Sequence, residues 1–188
     1  MDGLLHFKEK KMKRLFIDMD GTLARFHEQN NYLERMYENN FFVMLNAYEN
    51  FLKAICSIHN YHDKDIEVHI LSSVSDVEYE RMVADKVLWL CGNGLKFDFD
   101  RLHFPLIGTS KTSHIKGAIK ETDILIDDYN HNLSEWRMAG GTSIKFVNEI
   151  NDKGINGPLW DGLRVRYDWS SERIEDELLR IVSSLQSA

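Results

Sequence analysis

The sequence predicts a three-layer, doubly wound α/β fold, with a mostly parallel sheet, helices on both faces and a small helical insertion after the first strand. Three observations carry this reading. Short β-rich runs alternate with segments of helical periodicity, the runs end abruptly in small polar or acidic residues, and no repeat or Pro/Gly/Ser linker divides the chain. Residues 15–17 form the first strand and residues 66–71 the second, both reading as buried central strands. Between them lie some forty residues with helical periodicity. The spacing of Ser75 and Glu78 matches a capping box and predicts a helix running to about Leu90. Residues 102–107 resemble a third strand, 112–120 a helix and 124–126 a fourth strand. The segment 133–139 is helical and stops at Gly140-Gly141. A fifth strand covers 143–147 and an edge strand 163–167. Ile174, Leu178, Ile181, Val182 and Leu185 share one face of a final helix that packs on the sheet.

The 188 residues suffice for one good core and are few for two. With 43% hydrophobic and 28% charged residues, and only two prolines, disordered or collagen-like classes are excluded. The longest apolar run, at 41–45, is far short of the roughly 20 residues that span a bilayer. The first residues, with His6, Lys8, Glu9 and Lys10, lack the layout of a signal peptide, so a cytoplasmic, non-membrane protein is expected. Cys56 and Cys91 lack metal-site spacing and are expected to be buried, inert thiols. A net charge of −7, relieved only by the short basic run at 8–14, argues against extended nucleic-acid binding. A small phosphorylated ligand is compatible with it if a metal ion or lysine reverses the field locally.

In a parallel sheet, ligands gather at the carboxyl ends of the strands. Asp18, Asp20, Gly21 and Thr22 follow the first strand, Ser72 and Ser73 the second, and Asp127 and Asp128 the fourth. All would share one rim. In Asp18-Met19-Asp20-Gly21-Thr22 the two carboxylates stand two residues apart, so both face one side of an extended backbone, and Gly21 permits a sharp turn. With four specified residues at ordinary usage, such a string arises by chance in on the order of one chain in a thousand of this length.

These residues resemble the motifs of the haloacid dehalogenase (HAD) superfamily of phosphohydrolases, in order: DxDGT after the first strand, a Ser or Thr ending the second (Ser72), a lysine, and an acidic pair (Asp127-Asp128). The stretch Ile126-Asp127-Asp128-Tyr129, followed by Asn132-Leu133, Trp136, Gly140-Gly141 and Ile144-Lys145-Phe146, is more narrowly similar to bacterial and phage 5′(3′)-deoxyribonucleotidases. The resemblance covers roughly residues 14–160. It implies a HAD-like Rossmannoid core at 1–23 and 66–188, with a cap at 24–65. It also implies a Mg2+-dependent phosphomonoesterase acting on a small phosphorylated substrate, a (deoxy)nucleoside monophosphate by the narrower likeness.

In that reading Asp18 is the nucleophile and Asp20 the acid and base in turn, while Ser72 and a lysine bind the phosphoryl oxygens. Lys111, just past the third strand, is better placed than Lys116, which lies nearer the spacing of shorter family members; Lys120 also precedes the fourth strand. Asp18, the backbone carbonyl of Asp20 and Asp128 would hold Mg2+, with Asp127 coordinating or orienting a metal-bound water. Ser73 joins the substrate contacts, and Thr22 supports the turn. In the insertion, Phe41, Leu45, Tyr48 and Leu52 share a helical stripe and read as core, which leaves Phe26, Tyr37 and Phe42 as candidates for stacking on a base. Arg35 reads as a solvated arginine. No strand or helix spacing aligns His59, His62 and His69 as metal ligands, and Trp136 and Trp160 read as packing residues. The alternatives are a phosphatase for another small metabolite and a catalytically silent domain that binds a phosphorylated ligand or a protein.

Overall fold

A computed structural model describes residues 12–151 and 159–185; positions 8–11 of the basic run lie outside them. Six strands form one parallel sheet in the order β3-β2-β1-β4-β5-β6. They are β1 (Lys13–Ile17), β2 (Ile66–Leu71), β3 (Leu102–His103), β4 (Asp123–Asp127), β5 (Thr142–Val147) and β6 (Leu163–Arg166). The helices are α1 (Tyr32–Arg35), α2 (Glu49–Tyr61), α3 (Tyr79–Gly92), α4 (Asn130–Met138) and α5 (Ser171–Ser184). No helix among the described residues is long and apolar enough to cross a membrane.

The pleat of the strands sorts the core into two layers. Leu15, Ile17, Ile124 and Ile126 face one side with residues of α2, α3 and α5; Phe16 and Leu125 face the other with Leu133 and Trp136 of α4. Each such side chain removed from water stabilises by about 1.5–3 kcal/mol, so both faces of the sheet must be covered. Ile17 pairs with Ile70 on one side and Ile126 on the other, which brings the carboxyl ends of β1, β2 and β4 level. At the opposite end Arg14 grips the buried Asp123 through two hydrogen bonds of 2.8 and 2.6 Å, pinning β1 to β4.

Of residues 24–65, α2 lies in a helical layer against α5 and β2, while the segment before it is tied to α3: Arg81 donates to the Glu38 carbonyl and Trp89 Nε1 to the Leu45 carbonyl. Phe41, Leu45, Tyr48 and Leu52 are all buried, but not along one helix. A short 3-10 turn at Phe42–Met44 gives way to extended chain, where Ala47 bridges Ala24 and Tyr48 N–H bonds the Leu23 carbonyl.

Three other elements differ from expectation for identifiable reasons. Helix α3 starts at Tyr79, because Ser75 Oγ and Asp76 Oδ1 both accept the Val77 N–H and Ile107 N–H holds the Val74 carbonyl, keeping this stretch out of the helix. Strand β3 has two residues rather than six, since Pro105 has no N–H to donate, although Val74 still pairs with Leu106. The expected helix at 112–120 is one 3-10 turn, Lys111–His114, with Gly117 at φ +84° further along. Cys91 is exposed and Cys56 half-buried, so neither is the buried thiol expected from the sequence. Trp136 and Trp160 are core residues. His59, His62 and His69 have separate partners, Lys96, Glu175 and Glu67.

His69 stacks on Phe16, and its Nδ1 lies 3.1 Å from Nε2 of His103. Burial lowers both pKa values; for His103, burial, His69 and His114 together bring it from the ordinary 6.5 to about 4. The folded protein therefore takes up these protons less readily than the unfolded chain. The contribution is complete above about pH 6.5 and is lost as the pH falls towards 4. We expect the urea midpoint to decline across this window and to decline less in His103→Gln; identical declines would show that the histidine pair is not responsible.

Candidate active site

The carboxyl ends of β1 and β4 supply the centre of the site. After β1, the Met19 carbonyl accepts the N–H groups of Thr22, Leu23 and Ala24, curling the chain into a tight turn. Gly21 occupies φ +81°, and a β-carbon there would stand 2.5 Å from Asp128 Oδ2 and 2.8 Å from His27 Nε2. Only glycine therefore lets the turn approach the end of β4 so closely. Thr22 is fully buried. After β4, Asp127 Oδ1 accepts the Tyr129 N–H (2.8 Å) at the start of α4, and Oδ2 accepts Asn132 Nδ2 (2.9 Å). Helix α4 is itself fixed by Trp136, whose indole N–H bonds the Asp123 carbonyl.

Lys111 reaches across the rim. Its buried ammonium lies 2.6 Å from Asp18 Oδ1 and 2.7 Å from Asp127 Oδ2. Burial opposes its charge, but Asp127 and Asp18 outweigh burial and raise its pKa. Lys116 is exposed. Asp128 Oδ2 accepts from Asn148 Nδ2 (3.0 Å), which also bonds the Gly21 carbonyl (2.9 Å), so Asn148 joins the two motif turns. Lys145 donates to the Asp128 carbonyl. His27 Nε2 is 3.4 Å from Asp128 Oδ2; burial works against its proton, yet Asp128, Asp20 and Asp18 raise its pKa above the ordinary value. Ser72 is fully buried, and its Oγ accepts from Lys86, as does Asp20 Oδ2.

A cleft of about 480 Å3, within the range of small-molecule sites, is lined by Asp18, Asp20, Phe26, His27, Ser73, Lys111, Asp127 and Asp128 among others; the fully buried Ser72 and Lys86 are not part of its lining. Of the three aromatic candidates, only Phe26 borders it. Phe42 is 1% exposed and packs against Phe26, and Tyr37 is exposed but lies by Ser75. Neither Phe42 nor Tyr37 is offered to a ligand in the cleft. The exposed ring there is Tyr129.

Lys86, His27 and Asn148 were not among the residues selected from sequence. Lys86 carried a readable signal, since Met82, Lys86 and Trp89 follow the buried stripe of α3. His27 and Asn148 carry none, being single residues in irregular segments.

Carboxylate oxygens of Asp18, Asp127 and Asp128 lie within 4.8 Å of one another, the one group of this kind among the described residues. Burial pushes the Asp18 carboxyl up to about 7; Lys111 opposes this, and Asp127, Asp20 and Asp128 reinforce it. Four carboxylates against Lys86, Lys111 and Lys145 leave a formal charge of −1 on the side chains other than His27. An all-oxygen donor set with that charge fits Mg2+.

No protein-family model and no curated protein matches the chain. Solved structures do match it. It is similar to D,D-heptose 1,7-bisphosphate phosphatase from Burkholderia thailandensis (14% identity, 89% of this chain and 98% of that one, TM-score 0.55). It is also similar to the enzyme of that name from B. bronchiseptica, in complex with magnesium and phosphate (14%, 90% and 99%, TM-score 0.58). A third is a HAD-superfamily hydrolase from Ehrlichia chaffeensis (13%, 92% and 99%, TM-score 0.52). The chain thus has the α/β Rossmannoid fold of HAD-like hydrolases.

Gly21→Ala tests the coupling of the two turns. It should cost about 1–3 kcal/mol through the positive φ and, in the folded variant, weaken calorimetric Mg2+ binding about tenfold or more by displacing Asp128. Unchanged Mg2+ affinity would show that the approach of the turns does not matter.

Proposed function

We propose that this protein is a cytoplasmic, Mg2+-dependent phosphomonoesterase that works through an aspartyl-phosphate on Asp18, with (deoxy)nucleoside monophosphates as its substrates. The observation that carries the proposal is the meeting of Asp18, Asp20, Ser72, Lys111, Asp127 and Asp128 at one end of the sheet: Lys111 bridges Asp18 and Asp127, Lys86 bridges Asp20 and Ser72, all at 2.6–2.9 Å, and Asp128 lies with Asp18 and Asp127. A binding domain has no need of a second carboxylate, Asp20, beside the first.

Asp18, Asp127 and Asp128 would hold Mg2+, which when bound offsets the repulsion between an anionic ester and the acidic rim. Asp18 attacks phosphorus, a new O–P bond forms to its carboxylate, and the bond from phosphorus to the alcohol oxygen breaks. Asp20 supplies the proton the departing alcohol needs. It then takes a proton from the water that cleaves the acyl phosphate, releasing phosphate and restoring Asp18. Lys111 places positive charge beside Asp18, and Ser72 donates to a phosphoryl oxygen; such fixed donors contribute much of the barrier lowering.

The nucleotide assignment rests on the likeness of residues 126–146 to deoxyribonucleotidases and on Phe26 and Tyr129 at the cleft, where the exposed Tyr129 ring can stack on a base. The fold neighbours that act on heptose bisphosphate favour a second reading, a sugar-phosphate phosphatase.

We expect 4-nitrophenyl phosphate hydrolysis that is abolished by chelation, restored by Mg2+ and reduced at least about a thousandfold in Asp18→Asn. Activity untouched by that substitution would refute the mechanism. On a panel of nucleoside monophosphates and sugar phosphates, nucleotides should show the higher kcat/KM, and Tyr129→Ala should raise KM for them about tenfold. Equal turnover of the two classes would favour the sugar-phosphate reading.

A further inference from the structure

Lys86 lies in the middle of α3, and its side chain is fully buried. Its ammonium has an acceptor for each of its three protons: Asp20 Oδ2 at 2.6 Å, Ser72 Oγ at 2.9 Å and the Ser73 carbonyl at 2.9 Å. The ring of Phe42, buried in the core against Phe26 and Phe41, lies 4.8 Å from Nζ, a cation–π contact. The arrangement sets two features of the site. Asp20 Oδ2 is occupied, which leaves Oδ1 as the one buried carboxylate oxygen among the described residues with no hydrogen-bond partner. Ser72 Oγ is an acceptor towards Lys86, so its own proton points elsewhere.

We propose that Lys86 is a positioning residue for proton transfer: by holding Asp20 Oδ2 it makes Oδ1 the oxygen that carries the proton. This rests on the phosphatase reading above. Rotation of Asp20 away from this geometry would leave a buried ammonium proton unsatisfied, so the orientation is imposed rather than sampled. A lysine that merely stabilises the fold would, when replaced, affect all substrates alike. A lysine that orients the acid affects most the esters whose leaving group needs a proton.

The experiment is kcat/KM for 4-nitrophenyl, phenyl and benzyl phosphate with wild type, Lys86→Met, Asp20→Asn and the double variant. For Lys86→Met we expect a loss of about a hundredfold on benzyl phosphate and less than about fivefold on 4-nitrophenyl phosphate, whose leaving group departs unprotonated. In the Asp20→Asn background, Lys86→Met should cost little more, because its effect runs through Asp20. If Lys86→Met alone does not fold, the double variant, which removes the ion pair instead of breaking it, makes the same comparison against Asp20→Asn. Equal losses on all three esters, or a further tenfold loss on top of Asp20→Asn, would overturn the proposal and leave the phosphatase reading intact. Wild-type protein that hydrolyses none of the esters, with Mg2+ present, would overturn both.

Discussion

The site depends on crowding negative charge that would otherwise disperse. Two unit charges 4 Å apart repel by about 4 kcal/mol at the effective dielectric of a protein surface, and Asp18, Asp20, Asp127 and Asp128 are all brought to one end of the sheet. The fold makes this possible by geometry. Strand order β3-β2-β1-β4-β5-β6 sends the connections after β1 one way and those after β4 the other, opening a crevice between the carboxyl ends of these two strands. Asp18 leaves β1 and Asp127 ends β4 at that crevice. The apolar faces of Leu15, Ile17, Ile124 and Ile126 leave the strands no freedom to slip by one residue, since that would turn the carboxylates to the other face.

Two buried lysines relieve part of the crowding, and each is fastened to a different pair of groups. Lys111 binds Asp18 and Asp127, whereas Lys86 binds Asp20 and Ser72. The division gives the carboxylates different surroundings. Asp18 stays with Asp127 and Asp128, its carboxyl raised to about 7 by burial in the face of Lys111. Asp20 is drawn aside towards α3. Two neighbouring carboxylates of one turn thus meet different partners, the arrangement that the proposed division into nucleophile and proton carrier requires.

The acidic residues were legible in sequence because each ends a strand whose apolar run is unmistakable, and position at a strand end fixes position at the rim. Lys111 was legible for a related reason, standing just past residues 102–107, where Leu106 still pairs with Val74 beyond the end of β3. Which aromatic rings border the cleft was not legible, because the stripe Phe41, Leu45, Tyr48 and Leu52 assumed a continuous helix, and the extended chain at Ala47 breaks it. With the stripe broken, the residues left off it lose their assigned place, and Phe42 falls into the core beneath Lys86. Lys86 escaped notice because a lysine within a charged helix reads as solvated. Its place on the stripe of Met82 and Trp89 was the contrary sign, since a charge on the apolar side of an amphipathic helix must find buried partners or unfold the turn that carries it.

Helix α3 therefore joins the chemistry to the insertion. The same helix that delivers Lys86 also binds the segment ahead of α2, through Arg81 to the Glu38 and Met36 carbonyls and Trp89 to the Leu45 carbonyl. Phe42, under the ammonium of Lys86, belongs to that segment, and so does Phe26, which borders the cleft. The aromatic packing of Phe26, Phe41 and Phe42 makes these contacts one unit, with ring centroids 5.3–6.0 Å apart. A shift of the insertion would disturb the ring beneath Lys86 and, through its ammonium, the setting of Asp20. The Phe26 wall of the cleft and the carboxylate of Asp20 are in this way supported by the same short stretch of helix.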